Sequence, residues 1–163
     1  MKVANFRRKG SRIDAIAMWD PGSTLPFITF DLASELELEG VPIELEICTV
    51  GGAVTKVNSK KYYIAVFDRN GQDVRIDVLG IKTISTDVET IDLTDVKKLF
   101  RNKDVKHVEC PRAGSVGLLI GFSYAAYHPV KVEGVGHLLF MSNRFGVSLR
   151  VLTLQFKIQQ KIW

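Results

Sequence analysis

The stretch Ile13-Asp14-Ala15-Ile16-Ala17-Met18-Trp19-Asp20-Pro21-Gly22-Ser23-Thr24 decides how the rest of the chain is read. An apolar run broken only by Asp14 delivers the carboxylate of Asp20 straight into a proline–glycine turn. Ionising a carboxylate at the end of a buried strand is costly unless something pairs with it. A turn containing glycine instead aims it outward, toward a cleft. Far downstream a second apolar run, Val116-Gly117-Leu118-Leu119-Ile120-Gly121, also ends in glycine.

The totals set bounds on the answer. A chain of 163 residues with 46% apolar and 25% charged side chains has the composition of an ordinary globular protein. It is long enough to bury a core within one domain. The net charge of +4 permits weak attraction to anionic surfaces without arguing for it. Two cysteines, Cys48 and Cys110, stand far apart behind an N-terminus that reads as a strand rather than a targeting segment, so free thiols in a reducing, cytoplasmic setting are expected. The longest apolar run, Val116 to Phe122, is too short to cross a bilayer, and no membrane role is expected.

Working outward from Asp20, Val3–Phe6 and Ile13–Trp19 flank the charged turn Arg7-Arg8-Lys9-Gly10-Ser11-Arg12 and predict a hairpin. Leu25-Pro26-Phe27-Ile28 is brief and apolar. Thr29 then suits the N-cap of a short helix with Asp31 in its first turn, Leu32, Ala33 and Leu36 on one face, and Gly40 near its C-cap. From Pro42 the period becomes two: Ile43, Leu45 and Ile47 alternate with Glu44, Glu46 and Cys48. Gly51-Gly52 interrupts this strand. Tyr62–Phe67 and Val74–Leu79 enclose the turn Asp68-Arg69-Asn70-Gly71, so the middle of the chain reads as antiparallel β. Residues 83–113 are the least decodable; Thr94 is a candidate cap for a short helix with Val96, Leu99 and Phe100 inward. Phe122–Tyr127 fits a helical turn or two before Pro129, and residues 130–141 fit a closing hairpin. The chain after Asn143 shows no turn punctuation, so residues 1–143 read as the folded domain and 144–163 as a tail.

Three pieces of this pattern, in this order, resemble the retropepsin-like aspartic peptidases, in the version encoded by Pao/BEL-type long-terminal-repeat retrotransposons. Trp19-Asp20-Pro21-Gly22-Ser23-Thr24-Leu25-Pro26-Phe27-Ile28-Thr29, followed by Leu32-Ala33 and Leu36-Glu37-Leu38, resembles the active-site segment. Thr49-Val50-Gly51-Gly52 is similar to the glycine-rich flap. Leu118-Leu119-Ile120-Gly121, with Phe122-Ser123-Tyr124-Ala125-Ala126-Tyr127-His128-Pro129 after it, resembles the second glycine strand and its short helix. The resemblance implies a mostly β fold, a closed β-barrel monomer with one or two short helices. It also implies an aspartic endopeptidase that frees the proteins of a retroelement polyprotein.

The implied chemistry needs two carboxylates sharing one proton, because like charges in contact cannot both ionise. The ionised group takes a proton from the attacking water, and the protonated one donates to the scissile carbonyl oxygen. Asp73, Asp77, Asp92 and Asp95 are not followed by the glycine of an Asp-x-Gly motif, so the resemblance implies a homodimer in which Asp20 meets the Asp20 of a second copy. Gly22 would hold the carboxylate with its N–H. Val50, Gly51 and Gly52 would form a flap over an extended peptide bound as an added strand. Leu119, Ile120 and Gly121 would form the strand beneath. No cofactor and no metal are implied.

Two departures stand out. Pro21 occupies a position where the family usually has Ser or Thr, whose hydroxyl and N–H bond across the dimer; proline supplies neither. Each lost bond costs about 0.5–1.5 kcal/mol. Ser123 stands where Asp or Asn is frequent. Asp-Pro-Gly therefore fits an active variant and also a catalytically inactive dimerisation module, and by itself it fits an ordinary turn. A nucleic-acid-binding module would rest on the charge and the Arg7–Arg12 turn alone, and such a partner is not expected. His107 and Cys110 have metal-like spacing but lack a second ligand pair. His128 and His137 have no local triad partners.

Overall fold

The computed structural model describes residues 1–7, 12–48, 51–85, 87–90, 92–108 and 113–151. They fall into two units, the first Met1–Thr90 with Pro111–His128, the second Ile91–Cys110 with Pro129–Trp163.

The first unit contains β1 (Lys2–Asn5), β2 (Ile13–Asp14), β3 (Ala17–Trp19), β4 (Phe27–Thr29), α1 (Phe30–Glu35), β5 (Val41–Cys48), β6 (Val54–Phe67), β7 (Asp73–Ile81) and β8 (Leu118–Ile120). They build an eight-stranded sheet in the order β2-β1-β6-β7-β4-β8-β3, with β5 added to β6. The mostly β class is as expected; the closed barrel is corrected. Among the described residues no ladder joins the two ends of this order, β2 and β3.

The reason lies in the run Ile13–Trp19, which is two strands rather than one. Ala15 N donates to Met1 O at 2.8 Å, while Ile16 O accepts from Gly117 N at 3.0 Å and Leu118 N at 3.3 Å. Those bonds switch the chain from an antiparallel partner, β1, to a parallel one, β8. The ends of the sheet are thus joined by the covalent chain at Ala15-Ile16, not by backbone pairing.

Period-two patterning places Ile64 opposite Ile76 and Val66 opposite both Val3 and Val74. Val3, Ile28, Ile64, Val66, Ile76, Val78, Leu118 and Ile120 are fully buried and form the core. The Asp68–Gly71 turn is as read: Asp68 Oδ1 accepts from Asn70 N and Gln72 N, both at 2.9 Å, and Gly71 takes φ 75°. Thr29 caps α1, its hydroxyl accepting from Leu32 N at 3.3 Å.

Gly40 is not the cap of α1. The helix ends at Leu36, Glu37 adopts φ 50°, and Asn5 Nδ2 donates to the carbonyls of Leu36 and Glu37 at 3.2 and 2.9 Å. Gly40 is required for a different reason: a Cβ there would stand 2.5 Å from the Tyr62 ring.

The second unit contains α2 (Thr94–Lys98), a 3-10 turn at Lys103–His107, and the strands β9 (Val130–Val135), β10 (Leu138–Asn143) and β11 (Gly146–Val151), in the order β11-β10-β9. Phe100, Val105, Val108 and Phe140 form its core. Thr94 does not cap α2. Its hydroxyl donates to Asp92 Oδ1 at 2.6 Å, and Leu93 takes the cap position. Leu99, expected inward, is 54% exposed. The stretch after Asn143 does carry punctuation: Asn143 Oδ1 accepts from Phe145 N and Gly146 N, both at 2.9 Å, and this turn starts β11. Residues 152–163 lie outside the described residues.

Glu133 joins the two limbs of the second unit. Its carboxylate accepts from Arg101 N at 2.9 Å and Asn102 N at 2.8 Å, and these bonds hold its carboxyl below the ordinary glutamate range. A depressed folded pKa adds stability that is complete above the unfolded value, about 4.3, and is lost as pH falls through the lower folded value. Urea denaturation at several pH values should therefore show the second unit weakening in acid, with a shallower slope in Glu133→Gln; an identical slope would contradict this. Phe140→Ala removes a side chain that is 1% exposed. It should cost about 3–5 kcal/mol in the same assay.

Candidate active site

The site is built around β8, which lies between two strands of opposite sense. It runs parallel to β3 (Met18↔Leu119, Trp19↔Ile120) and antiparallel to β4 (Phe27↔Leu119, Ile28↔Leu118). The segment between β3 and β4 must therefore cross from one flank of β8 to the other, passing the end of that strand. Backbone bonds fix this crossing: Asp20 N to Ile120 O at 3.1 Å, Phe122 N to Ser23 O at 2.7 Å, and Ser123 N to Thr24 O at 3.0 Å.

Gly121 sits beneath the crossing. A Cβ there would stand 2.5 Å from Leu25 O, 2.7 Å from Leu25 C and 2.8 Å from Ser23 O. These are backbone atoms, which cannot swing aside. The structure thus brings Asp20, Pro21, Gly22 and Ser23 together with Leu119, Ile120 and Gly121.

Asp20 itself is half-buried. Its Oδ1 accepts from Gly22 N at 2.8 Å and its carbonyl from Ser23 N at 3.3 Å. Among the described residues, Oδ2 accepts no hydrogen bond. One carboxylate oxygen is held by the loop while the other is open. A Cβ on Gly22 would approach Oδ1 to 3.1 Å, closer than a comfortable contact. Pro21 is exposed; Ser23 is half-buried and donates its hydroxyl to Leu25 O at 2.8 Å.

A 3-10 segment, Phe122–Tyr127, follows β8 and is kinked at Tyr124. Tyr124 Oη accepts from Asp77 N at 2.9 Å, bonding the segment to β7. His128 Nε2 lies 3.0 Å from Gly121 O, and its ring meets Trp19 edge-on with centroids 5.4 Å apart. Trp19 and His128 lie in the two stretches that resemble the family's signatures, but no role was read for either, because their contact joins residues far apart in the sequence and follows no local pattern.

The glycine pair falls at the tip of the long hairpin β5–β6, whose register runs from Val41↔Lys61 to Cys48↔Val54. Gly51 and Gly52 take φ 113° and 82°, and an added Cβ on either would meet nothing within 4 Å. Val50, with Thr49, lies outside the described residues. One face of the hairpin carries Ile43, Leu45, Ile47 and Val57; the other carries Glu44 and Glu46, both paired to Lys56 Nζ, at 3.2 and 3.0 Å. Such exposed pairs add little to stability. Among the described residues no group of three or more metal-ligating side chains converges, and Cys110 lies outside them.

Residues 1–145 match the family described as "Putative peptidase (DUF1758)". Neither a curated protein nor a solved structure matches the chain.

Gly121→Ala should displace the Asp20 crossing and destabilise the first unit by about 1–3 kcal/mol, as overpacking does. Thermal unfolding of the variant checks this; an unchanged midpoint would show that the backbone yields easily.

Proposed function

The chain belongs to that peptidase family, and we propose that it is a homodimeric aspartic endopeptidase of the retropepsin-like, Pao/BEL retroelement type, acting on its own polyprotein. The observation that carries this reading is the state of Asp20, with Oδ1 tied to Gly22 N and Oδ2 without a partner among the described residues. A carboxylate fixed by its own backbone is preorganised for proton transfer, with one oxygen left to act.

In this reading two copies meet across a two-fold axis and their Asp20 side chains share a single proton, titrating as a pair. The ionised carboxylate draws a proton from water as the water oxygen attacks the scissile carbonyl carbon. The protonated partner gives its proton to the carbonyl oxygen, forming a tetrahedral diol. Collapse breaks the C–N bond: the amine nitrogen takes the proton held by one aspartate while a diol hydroxyl returns its proton to the other, leaving a carboxylic acid and restoring the one-proton dyad. The β5–β6 hairpin closes over the extended substrate and excludes water. Leu25 and Phe122, 40% and 61% exposed beside the crossing, supply apolar surface where a second copy would dock.

Pro21 favours a second reading. It is exposed on the same loop and has no N–H or hydroxyl to offer across an axis. A dimer that keeps the fold as an interaction module without cleaving peptides would tolerate this residue equally well.

Two variants separate the readings. Asp20→Asn should lower cleavage of a peptide by at least about a thousandfold while leaving the circular dichroism spectrum unchanged. Cleavage at the full rate would end the aspartic assignment. Pro21→Thr should tighten self-association in sedimentation equilibrium by about 1 kcal/mol or more.

A further inference from the structure

We propose that His128 is a positioning residue for Asp20, clasping the glycine strand to the strand that ends in the aspartate. The inference rests on the aspartic reading only for its consequence in catalysis; the clasp itself is a matter of geometry. Gly121 O can only accept, so the Nε2 that lies 3.0 Å from it carries the hydrogen. The same imidazole meets the Trp19 ring edge-on, with centroids 5.4 Å apart.

Trp19 and Gly121 are not arbitrary partners. Trp19 immediately precedes Asp20, and Gly121 immediately follows Ile120, whose carbonyl accepts the Asp20 N–H at 3.1 Å. His128 therefore touches both strands next to the backbone bond that seats the aspartate. It also stands where the 3-10 segment ends, so it fixes the exit of that segment against β3. The bond to Gly121 O selects the tautomer that carries its hydrogen on Nε2.

This arrangement makes a specific demand on substitutions. Glutamine keeps an N–H donor on a flexible side chain and loses only the ring; alanine loses both. A clasp that acts through the donated bond is therefore restored by glutamine.

The test uses the whole chain, with His128→Ala and His128→Gln compared by steady-state cleavage of a peptide and by amide hydrogen exchange. His128→Ala should lower kcat roughly 10- to 100-fold with KM nearly unchanged, as loss of alignment does. Exchange at the amides of Asp20 and Phe122 should rise about tenfold while the β6–β7 ladder keeps its protection. His128→Gln should recover most of both. Unchanged exchange at those two amides in His128→Ala overturns the proposal. So does a rise shared equally by the β6–β7 ladder, which marks general destabilisation, and so does a failure of glutamine to restore protection. Should peptide cleavage survive Asp20→Asn, the aspartic reading falls. The exchange comparison then decides the clasp by itself, selective loosening supporting it and uniform or absent loosening refuting it.

Discussion

The passage of one backbone over another, Leu25 and Ser23 across Gly121, is the constraint from which the rest of the first unit follows. With a Cβ position only 2.5 Å from Leu25 O, no residue but glycine lets the crossing close. Closing it sets β3 and β4 on opposite flanks of β8, puts Asp20 N on Ile120 O, and leaves the aspartate at the rim of a fully buried strand. The carboxylate is held by the Gly22 N–H, and the Asp20 backbone by Ile120 O and Ser23 N. Such a support is stiff, because it does not rely on long side chains that must be ordered separately.

Much of this was legible beforehand, and the reasons differ by element. The Asp68–Gly71 turn, the alternation in β5 and the Thr29 cap depend on residues close in sequence, so local chemistry was enough to read them. The pairing of β8 with β3 is parallel and far apart in sequence. It entered only through the order of the two glycine-ended runs, never through periodicity. The break at Ala15-Ile16 was invisible because its cause, bonds from Gly117 and to Met1, comes from distant backbone. Gly40 misled for the same reason: the Tyr62 ring, not a helix terminus, demands it. Asn143 was passed over although Ser142, Arg144 and Gly146 around it are turn-compatible residues; its side chain bonding to Phe145 N and Gly146 N is what makes the turn. At the site, Asp20, Gly22 and Gly121 were readable from motif; the contact between His128 and Trp19 was not, since an edge-on ring contact has no spacing rule.

The second unit bears on the first through the covalent chain. Its two limbs, Ile91–Cys110 and Pro129–Trp163, flank the segment that contains β8. When Phe100, Val105 and Val108 pack with Phe140, and Glu133 binds the backbone of Arg101 and Asn102, the two ends of that segment are tied together. A pre-closed loop lowers the entropic cost of docking β8 between its neighbours. The lowered Glu133 pKa makes this tie weaker in acid, so acid would act on loop closure as well as on the proposed aspartate dyad.

If Asp20 is one half of a catalytic pair shared between two copies, as proposed, peptide cleavage must depend on protein concentration. Activity per chain should vanish on dilution and climb to a plateau as the chains associate. Activity per chain that stays constant across the dilution series while sedimentation shows only monomers would contradict it.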